Sequence, residues 1–376
     1  MLERASAKQD LKDKLKEFTS LIGVSGEEQD IIRAMIKHME PYADEIKVST
    51  LGNLTAVKKG NRPGPTVLIA SHSDEIGFSV KYISDDGFVY FDKIGGVPNN
   101  VLVGRKVWIT RNKIPGVIGT IPGHLQTPEE ARLVRAAKDL YIDVACSTRE
   151  EVEALGIHVG DRAVFADTIT EMGNPDYLSG KSMDNRAGCA VVCEVMKQCA
   201  SGDFAGTLVI GASCREEVGM VGARALGHSV QPDYVIAVDT VPSGDTPDQR
   251  GSRSLLPISL GKGPAVLLAD GCDSSHQYGV FSSVHPAIKK AIETQSKSQE
   301  VPVQWLTLVG FLSTTDAAEY AYAGDGIPQA SFTIPRRYSH APVELLNIND
   351  MVDMVAILKG IVEEENETIN LDFMAY

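Results

Sequence analysis

The sequence predicts an α/β protein with a mostly parallel central sheet flanked by helices, interrupted by an inserted β-rich, barrel-like domain. Apolar runs typical of strands buried on both faces alternate with helix-periodic segments before residue 77 and after residue 174. Between these positions, short strand-like pieces are separated by Gly, Pro and charged turns. The length of 376 residues suggests about two domains. We therefore expect a discontinuous α/β domain, residues 1–76 and 175–376, and an inserted domain, residues 77–174.

The N-terminal part is expected to form helices and then a buried strand. Ser25 and Glu28 form a capping-box pattern, which predicts that a helix begins there. Apolar residues at helical spacing follow this pattern as far as Met39. The continuous apolar run at residues 66–70 suits a strand that is buried on both faces.

The inserted segment is expected to fold as a small barrel or sandwich. Its predicted strands are GFSVKYI, GFVYFDKI, RKVWIT, PGVIGTI, KDLYIDV and DRAVFAD. Two short helices are predicted between them, at residues 128–137 and 149–155. Both have a capping signal at their start, namely Thr127 with Glu130 and Ser147 with Glu150.

The C-terminal part returns to alternating strands and helices, as in an α/β domain with a parallel sheet. Strands are predicted at residues 207–212, 234–238 and 330–334. Helices are predicted at residues 185–199 and 285–296, and from about residue 350 onwards.

The composition excludes several classes of protein. Lys and Arg total 36 and Asp and Glu total 50, so the net charge is −14, which argues against a nucleic-acid partner. No apolar run approaches the roughly 20 residues of a membrane span, so no membrane partner is expected. The six cysteines include no CxxC pair, and Cys189, Cys193 and Cys214 lie in apolar stretches. We therefore expect a reduced, cytoplasmic protein.

Polar residues follow the predicted buried strands, where the chemistry of open α/β sheets is usually found. His72 and Asp74 follow the first strand, Glu216 and Glu217 follow the second, and Asp239 follows the third. His340 follows the last strand, and Asp184 stands before the helix at residue 185. The candidate residues are therefore His72, Asp74, Asp184, Glu216, Glu217, Asp239 and His340.

Each candidate also has a purely structural interpretation. Asp184 or Asp239 could cap a helix, the Glu216–Glu217 pair could be a solvated turn, and His340 could be an ordinary loop histidine. The joint pattern favours a metal site, because charged groups directly after apolar strands must be paired, solvated or metal-bound. Imidazole and carboxylate ligands together suit Zn²⁺, Co²⁺ or Mn²⁺.

The number of candidates points to two metal ions. A single catalytic zinc typically has three protein ligands. His72, Asp184, Glu217, Asp239 and His340 exceed that number and suit two ions that share one carboxylate. In such a pair, a bridging water can lose a proton near neutral pH while the ions polarise a carbonyl group.

The chain resembles the cocatalytic di-metal aminopeptidases of the glutamyl aminopeptidase and TET type, some of which carry an endoglucanase or cellulase label. The resemblance covers nearly the whole chain. It rests on VSGEE at residues 24–28, HSDEIGF at 72–78, DNRAG at 184–188, EEVGMVGA at 216–223, VD at 238–239, TDA at 315–317 and PRRYSH at 335–340.

The resemblance implies a role for each candidate. His72 and Asp239 would bind one metal, Glu217 and His340 the other, and Asp184 would bridge the two. Glu216 would be the general base. It would take a proton from the water between the metals and give one to the leaving amine. Asp74 would hydrogen-bond the far nitrogen of His72, and the two ions would most readily be Zn²⁺, with Co²⁺ or Mn²⁺ as alternatives.

The resemblance also implies the fold and the partners. The α/β part would be zinc-exopeptidase-like, and the insert would support dimerisation and substrate access. The partners would be short peptides and further copies of the chain, in a dimer-based assembly or a tetrahedral dodecamer. The peptide bond after Asp184 is expected to be cis. Thr314 stands where many relatives have Gly, close to where they bind substrate.

The leading hypothesis is therefore an aminopeptidase that removes N-terminal residues from short peptides by means of a di-metal-bound water. A glycosidase would normally use two carboxylates and no metal, so the two candidate histidines argue against it. A metal-binding or peptide-binding paralogue without catalysis is the remaining alternative. The chain has no GxxxxGK[ST] phosphate loop, no dinucleotide fingerprint after the first strand and no GxSxG elbow.

Overall fold

The computed structural model describes residues 2–247, 256–271, 281–309 and 314–376. Within these ranges, the α-helices are α1 (Leu2–Ser20), α2 (Gln29–Met39), α3 (Arg149–Ala154), α4 (Met183–Gln198), α5 (Val221–Val230), α6 (Pro286–Ser298), α7 (Ala317–Tyr320) and α8 (Ile348–Gly360). In the same ranges, no helix is both long and apolar enough to cross a membrane.

A mixed sheet of 12 strands forms the centre of the molecule. Its strands are β1 (Glu45–Val48), β2 (Leu54–Lys59), β3 (Arg62–His72), β10 (Thr170–Glu171), β11 (Tyr177–Gly180), β12 (Ala205–Ser213), β13 (Tyr234–Pro242), β14 (Ala265–Gly271), β15 (Phe281–Ser283), β16 (Gln304–Val309), β17 (Gln329–Arg337) and β18 (Glu344–Asn347), numbered in chain order with the strands given below. The main path of hydrogen-bonded strands runs β1-β2-β12-β3-β13-β17-β18-β11-β10. Outside this path, β14 pairs with β17 and also with β15 and β16. The four central strands β12, β3, β13 and β17 are parallel, and antiparallel strands continue the sheet on both sides.

A separate closed barrel is formed by the strands between β3 and β10. These are β4 (Gly77–Ile83), β5 (Phe88–Ile94), β6 (Lys106–Ile109), β7 (Ile114–Gly119), β8 (Tyr141–Asp143) and β9 (Arg162–Phe165). They close in the order β4-β5-β8-β7-β6-β9 around an apolar interior that includes Phe78, Phe91 and Ile142. The predicted fold class, an α/β sheet with a barrel-like insert, is confirmed.

The main core lies between the central sheet and the helices that cover it. Helix α4 is buried along almost its whole length, and Ala190, Val191 and Val195 pack in the same cluster as apolar side chains of β3 and β12. The short side chains of Ala187 and Ala190 let the helix approach the sheet closely. This packing fixes the start of α4, and therefore Asp184, relative to the strand ends.

The capping box predicted at Ser25 and Glu28 is wrong. Helix α2 begins one residue after Glu28, which occupies the N-cap position. The Ser25 hydroxyl instead donates a hydrogen bond to Asp74 Oδ2 over 2.6 Å. Glu28 Oε1 accepts the backbone N–H of Gly26 over 2.8 Å, so its side chain folds back on the preceding loop.

The helix predicted at residues 128–137 is also wrong, although its capping signal is real. Thr127 and Glu130 form the reciprocal side-chain to backbone hydrogen bonds of a capping box, at 2.9 and 3.2 Å. Only short 3₁₀ turns follow, at Glu130–Arg132 and Ala137–Asp139. The other predicted helix of the insert is present as α3, with Thr148 rather than Ser147 as its cap.

The cysteines agree with the expectation of buried thiols. Cys189, Cys193, Cys199 and Cys214 are buried and free, and Cys146 is a partly exposed free thiol. The remaining residue, Cys272, lies outside the described ranges.

Candidate metal centre

The parallel strands bring the candidate residues to one edge of the sheet. Ser213, the last residue of β12, is paired with His72, the last residue of β3, so both strands end at the same level. Asp239 lies near the end of β13, and the neighbouring β17 leads into the loop that carries His340. Asp184, the second residue of α4, lies over this edge. The fold therefore gathers side chains that are far apart in sequence.

Two groups of ligand-type side chains meet there and share Asp184. The first is His72, Asp184 and Asp239, and the second is Asp184, Glu217 and His340, with ligand atoms within 4.8 Å of one another in each group. His72 Nε2 lies 3.1 Å from Asp184 Oδ1 and 3.6 Å from Asp239 Oδ1. His340 Nε2 lies 3.3 Å from Asp184 Oδ2 and 3.6 Å from Glu217 Oε2. The two oxygens of Asp184 thus face different groups.

The chemistry of these residues fits divalent ions. Both groups combine one imidazole with two carboxylates, a donor set suited to Zn²⁺, Co²⁺ or Mn²⁺. Within the part of the chain that the structure describes, Glu217 Oε1 is buried without a hydrogen-bond partner. A buried carboxylate oxygen without a partner is costly unless a cation or a donor meets it. A third possible group, His72, Glu216 and Glu217, brings Glu216 to the same place.

The pKa values of the candidate side chains reflect how closely their charged groups lie together. Burial and the neighbouring Asp184 raise the pKa of Glu217 to about 8, and burial and Glu217 hold the pKa of Glu216 well above its usual range. Burial opposes protonation of His340, but Asp184 and Glu217 raise its pKa to about 9. His72 shows the same balance, since the carboxylates around it outweigh burial and raise its pKa. The pKa values of all four side chains are therefore displaced towards the protonated form.

Asp74 connects the two strand ends behind the site. Its Oδ1 accepts the backbone N–H of Glu216 at 2.9 Å, and its Oδ2 accepts that of Glu217 at 3.2 Å. Burial raises its pKa, but His72, the Ser25 hydroxyl and the Glu216 N–H outweigh burial and lower it. His72 Nδ1 lies 3.4 Å from Asp74 Oδ1, an ion-pair distance at which Nδ1 forms no hydrogen bond in the described chain. The predicted hydrogen bond between His72 and Asp74 is therefore not formed in the described chain, although the two side chains lie at ion-pair distance.

Two further residues hold Asp184 and His340, and the sequence did not assign them a role. The guanidinium of Arg336 donates to Asp184 Oδ2, to Glu344 Oε1 over 2.6 Å and to Thr240 Oγ1 over 2.6 Å. Glu344 also accepts the backbone N–H of Asp184 at 3.0 Å and that of His340 at 2.9 Å. The sequence does carry a signal for Arg336, because a charged residue at the end of a buried strand needs a partner of opposite charge. Glu344 belongs to none of the motifs identified in the sequence.

The barrel also reaches the site. His340 Nδ1 lies 3.3 Å from the carbonyl oxygen of Gly96, in the loop that follows β5. A proton on Nδ1 that is shared with this carbonyl leaves Nε2 free to face Asp184 and Glu217. The inserted segment therefore contributes a polar contact to the edge of the central sheet.

Glu75, which adjoins the site in sequence, does not join the ligand groups. It is buried and pairs with Lys181 at 2.8 Å and with Arg186 at 2.9 Å. The peptide bond between Asp184 and Asn185 is cis, as expected. Asn185 fixes the start of α4 by donating to the Val238 carbonyl over 2.9 Å.

A cleft of about 520 Å³ opens over both groups. The candidate ligands line one side of it together with Glu216. Its other described lining residues include Met220, Val241, Leu267 and Leu308. Thr314 also lines this cleft. The arrangement can hold a small polar group against the candidate ligands and an apolar group beside it.

This fold and site define a class of exopeptidase-like α/β proteins, and sequence comparison gives the family. Residues 52–357 match the family described as M42 glutamyl aminopeptidase, and the chain belongs to that family. A relative from Acetivibrio thermocellus is 35% identical over 352 residues, 93% of this chain and 98% of that protein. The lysyl aminopeptidase of Pyrococcus furiosus is 29% identical over 93% of this chain and 96% of that protein. The glutamyl aminopeptidase of Lactococcus lactis is 28% identical over 95% of this chain and 97% of that protein.

Solved structures show the same fold over nearly the whole chain. An aminopeptidase from Desulfurococcus kamchatkensis is 30% identical, with a TM-score of 0.86 and coverage of 95% of both chains. The TET1 peptidase of Pyrococcus horikoshii, described as assembling into a tetrahedron or a large octahedral shell, is 28% identical, with a TM-score of 0.80 and coverage of 94% and 99%. A Thermotoga maritima structure titled endoglucanase is 26% identical, with a TM-score of 0.72 and coverage of 94% and 97%.

Proposed function

We propose that this protein is a metal-dependent aminopeptidase that removes the N-terminal residue of short peptides. Aminopeptidase activity is supported by membership of the M42 family. The observation that carries the metal dependence is the meeting of two ligand groups that share Asp184, with Glu216 beside them. Two divalent ions bound there would polarise the peptide carbonyl and help an attacking water to lose its proton.

The side chains divide this work among them. We assign His72 and Asp239 to one ion, Glu217 and His340 to the other, and Asp184 to both. This assignment is supported by the two oxygens of Asp184, which face the two histidines separately, at 3.1 and 3.3 Å. Zn²⁺ is the ion we expect, with Co²⁺ or Mn²⁺ as alternatives for the same donors.

Glu216 is proposed as the general base, with Asp74 holding its backbone. Glu216 lies beside His72 and Glu217 in one group of ligand-type side chains and lines the cleft. A carboxylate at this place can accept the proton of the attacking water and return one to the leaving amine. Asp74 fixes the backbone N–H groups of Glu216 and Glu217, which aims their side chains at the cleft.

The barrel is proposed as a domain for dimerisation and substrate access, inserted at residues 77–174 into a catalytic domain of residues 1–76 and 175–376. The contact between Gly96 and His340 supports a role at the entrance to the site. The shell described for the Pyrococcus horikoshii relative supports a homo-oligomer. We also propose a cytoplasmic location, supported by the free thiols at Cys189, Cys193 and Cys214.

The substitution Glu216→Gln tests this function. It removes the proton acceptor and keeps the shape and all five proposed ligands, so we expect hydrolysis of aminoacyl anilides to fall by at least about 100-fold, as for the loss of a general base. Metal binding should remain near that of the wild type. The matched control is Glu40→Gln, an exposed position at the end of α2, which should leave hydrolysis unchanged.

Three results would contradict this function. The first is full activity of the Glu216→Gln variant. The second is cleavage of a cellulose substrate by the wild type without any cleavage of peptides, which would favour a glycosidase. The third is metal binding with no hydrolysis across a panel of N-terminal residues, which would favour a paralogue without catalysis.

A further inference from the structure

The loop at residues 24–28 lies against the candidate site, although no function has been assigned to it. Ser25 is buried, and its hydroxyl donates to Asp74 Oδ2 over 2.6 Å. It lies outside residues 52–357, the part of the chain that defines the family match. The sequence pattern predicts that Ser25 caps a helix, but helix α2 begins only after Glu28.

The partner of Ser25 connects three functional side chains. Asp74 accepts the backbone N–H groups of Glu216 and Glu217, and its Oδ1 lies 3.4 Å from His72 Nδ1. The strand end that carries His72 and the turn that carries both glutamates therefore depend on one carboxylate. A rotation of this carboxylate would change the orientation of His72 and of the turn together.

Ser25 makes the shortest of these contacts with Asp74. Besides the serine hydroxyl, Oδ2 accepts the Glu217 N–H at the longer distance of 3.2 Å. Removal of the hydroxyl would leave a fully buried oxygen with this weaker donor, and an undersatisfied buried carboxylate tends to move or to take up a proton. Within the described residues, the serine hydroxyl is therefore the closer of the two donors that hold Oδ2, and Oδ1 is held by the Glu216 N–H alone.

The loop itself is held on both sides, so Ser25 is a rigid support. The backbone of Gly23 exchanges hydrogen bonds with Glu75, from Glu75 N to the Gly23 carbonyl and from Gly23 N to Glu75 Oε1, both at 3.0 Å. On the other side, Glu28 Oε1 accepts the backbone N–H of Arg215 at 3.2 Å, one residue before Glu216. The loop thus joins the end of β3 to the turn after β12.

From this geometry we propose that Ser25 is a positioning residue of the metal centre, which acts through Asp74 on His72 and on the Glu216–Glu217 turn. The proposal rests on the proposed function, because it assumes that His72 and Glu217 bind metal ions. Ser25 itself contacts neither the substrate nor the ions. Partners that orient metal ligands from behind typically change metal affinity or activity by about 10- to 100-fold when they are removed.

The test compares Ser25→Ala, Ser25→Cys and Ser25→Thr in the full chain. Affinity for Zn²⁺ is measured by competition with a chromophoric chelator, and kcat and KM are measured with an aminoacyl anilide. We expect Ser25→Ala to lose about 10-fold in metal affinity and in kcat, with little change in KM. The threonine variant should stay near the wild type, and the cysteine variant should fall between them because a thiol is a weak donor.

A matched control is Ser20→Ala, which deletes a hydroxyl that donates to the Glu17 carbonyl at the end of α1, away from the site. Metal affinity of the Ser25→Ala variant equal to that of this control would overturn the proposal. If Ser25→Ala does not fold, equal metal affinities of the cysteine and threonine variants would overturn it. A wild type that binds zinc and hydrolyses no peptide would refute the proposed function, while the affinity series would still decide the role of Ser25.

Discussion

Asp184 is the residue that the two ligand groups share, and three cationic or titratable side chains surround it. Its Oδ2 accepts from Arg336, and both histidines face its two oxygens. Burial would raise its pKa, but Arg336 and the histidines hold the pKa well below its usual range. Arg336 therefore supplies charge that divalent ions would supplement.

Replacement of this guanidinium should matter most in the metal-free protein. Arg336→Met leaves Asp184 and Glu344 buried without their cation, a change that typically costs about 3–5 kcal/mol. Bound ions would compensate Asp184, so the loss should be smaller after metal loading. Denaturant unfolding with and without Zn²⁺ measures both values.

The exposed Arg33→Met is the control for this prediction. Arg33 pairs with Asp30 at 2.6 Å and its side chain is 66% exposed, so its loss should cost less than about 1 kcal/mol in both states. Equal destabilisation by Arg336→Met with and without metal would contradict the account of charge balance at Asp184.

The candidate ligands could be predicted from the sequence because each lies at or shortly after the end of an apolar strand run, or at the start of a helix. Their supports could not. The Ser25 hydroxyl reaches Asp74 across 49 positions, and Glu344 reaches Asp184 across 160. Such contacts depend on how distant elements pack, and the local pattern at Ser25 was equally compatible with a helix cap.

At the scale of elements, Asp350 at the start of α8 shows how a helix end can make stability depend on pH. Its side chain is buried and accepts the backbone N–H groups of Gly261 and Gly263, both at 2.8 Å. Burial outweighs these bonds and raises its pKa to about 7. The folded state therefore holds a proton that the unfolded state has already released above about pH 4.

The sign of the pH dependence follows from this raised pKa. The contribution of Asp350 is fully present below about pH 4 and is lost as the pH rises towards 7. The variant Asp350→Asn lacks this titration, so its stability relative to the wild type should improve by about 2 kcal/mol from pH 5 to pH 7. Denaturant unfolding across this range measures the difference.

Asp44→Asn provides a control with the opposite pKa shift. The backbone N–H of Lys59 and the side chain of Lys58 lower the pKa of Asp44, so this carboxylate stabilises the fold above about pH 4. Its replacement should therefore carry the same cost at pH 5 and at pH 7. An Asp350→Asn variant that also shows no change between these pH values would contradict a raised pKa at Asp350.

The helix predicted at residues 128–137 failed for a reason that belongs to the same scale. The Thr127–Glu130 capping box forms, yet Leu133 and Val134 are each 63% exposed. Short helices depend on packing of an apolar face, and these side chains lack such packing within the described chain. By contrast, the central strands β3, β12, β13 and β17 contain the predicted apolar runs. A continuous apolar run is typical of a strand that is buried on both faces.

At the scale of the whole molecule, the segment between β7 and β8 carries exposed apolar side chains. We propose this segment as a contact between copies of the chain. Leu125, Leu133 and Val134 are each more than 60% exposed. A contiguous exposed apolar patch typically marks an interaction site, and these three side chains lie within ten residues of one another in the sequence. The family resemblance implied an oligomer but gave no residues for its interface, and this segment supplies candidates.

Charged substitutions in this segment should reduce the size of the assembly. We expect Leu133→Asp combined with Val134→Asp to give a smaller species than the wild type in light scattering at equal concentration. The control is Val48→Asp, at a half-exposed position on the edge strand β1, which should leave the size unchanged. An unchanged mass for the double variant would exclude this segment as the interface.

A metal titration of chelator-treated protein, followed by hydrolysis of aminoacyl anilides, tests whether catalysis needs two ions. We expect no hydrolysis without added ions and recovery that saturates at two ions per chain, one for each ligand group. Hydrolysis that survives complete removal of metal would contradict a metal-dependent reaction. So would protein loaded with Zn²⁺, Co²⁺ or Mn²⁺ that cleaves no N-terminal residue.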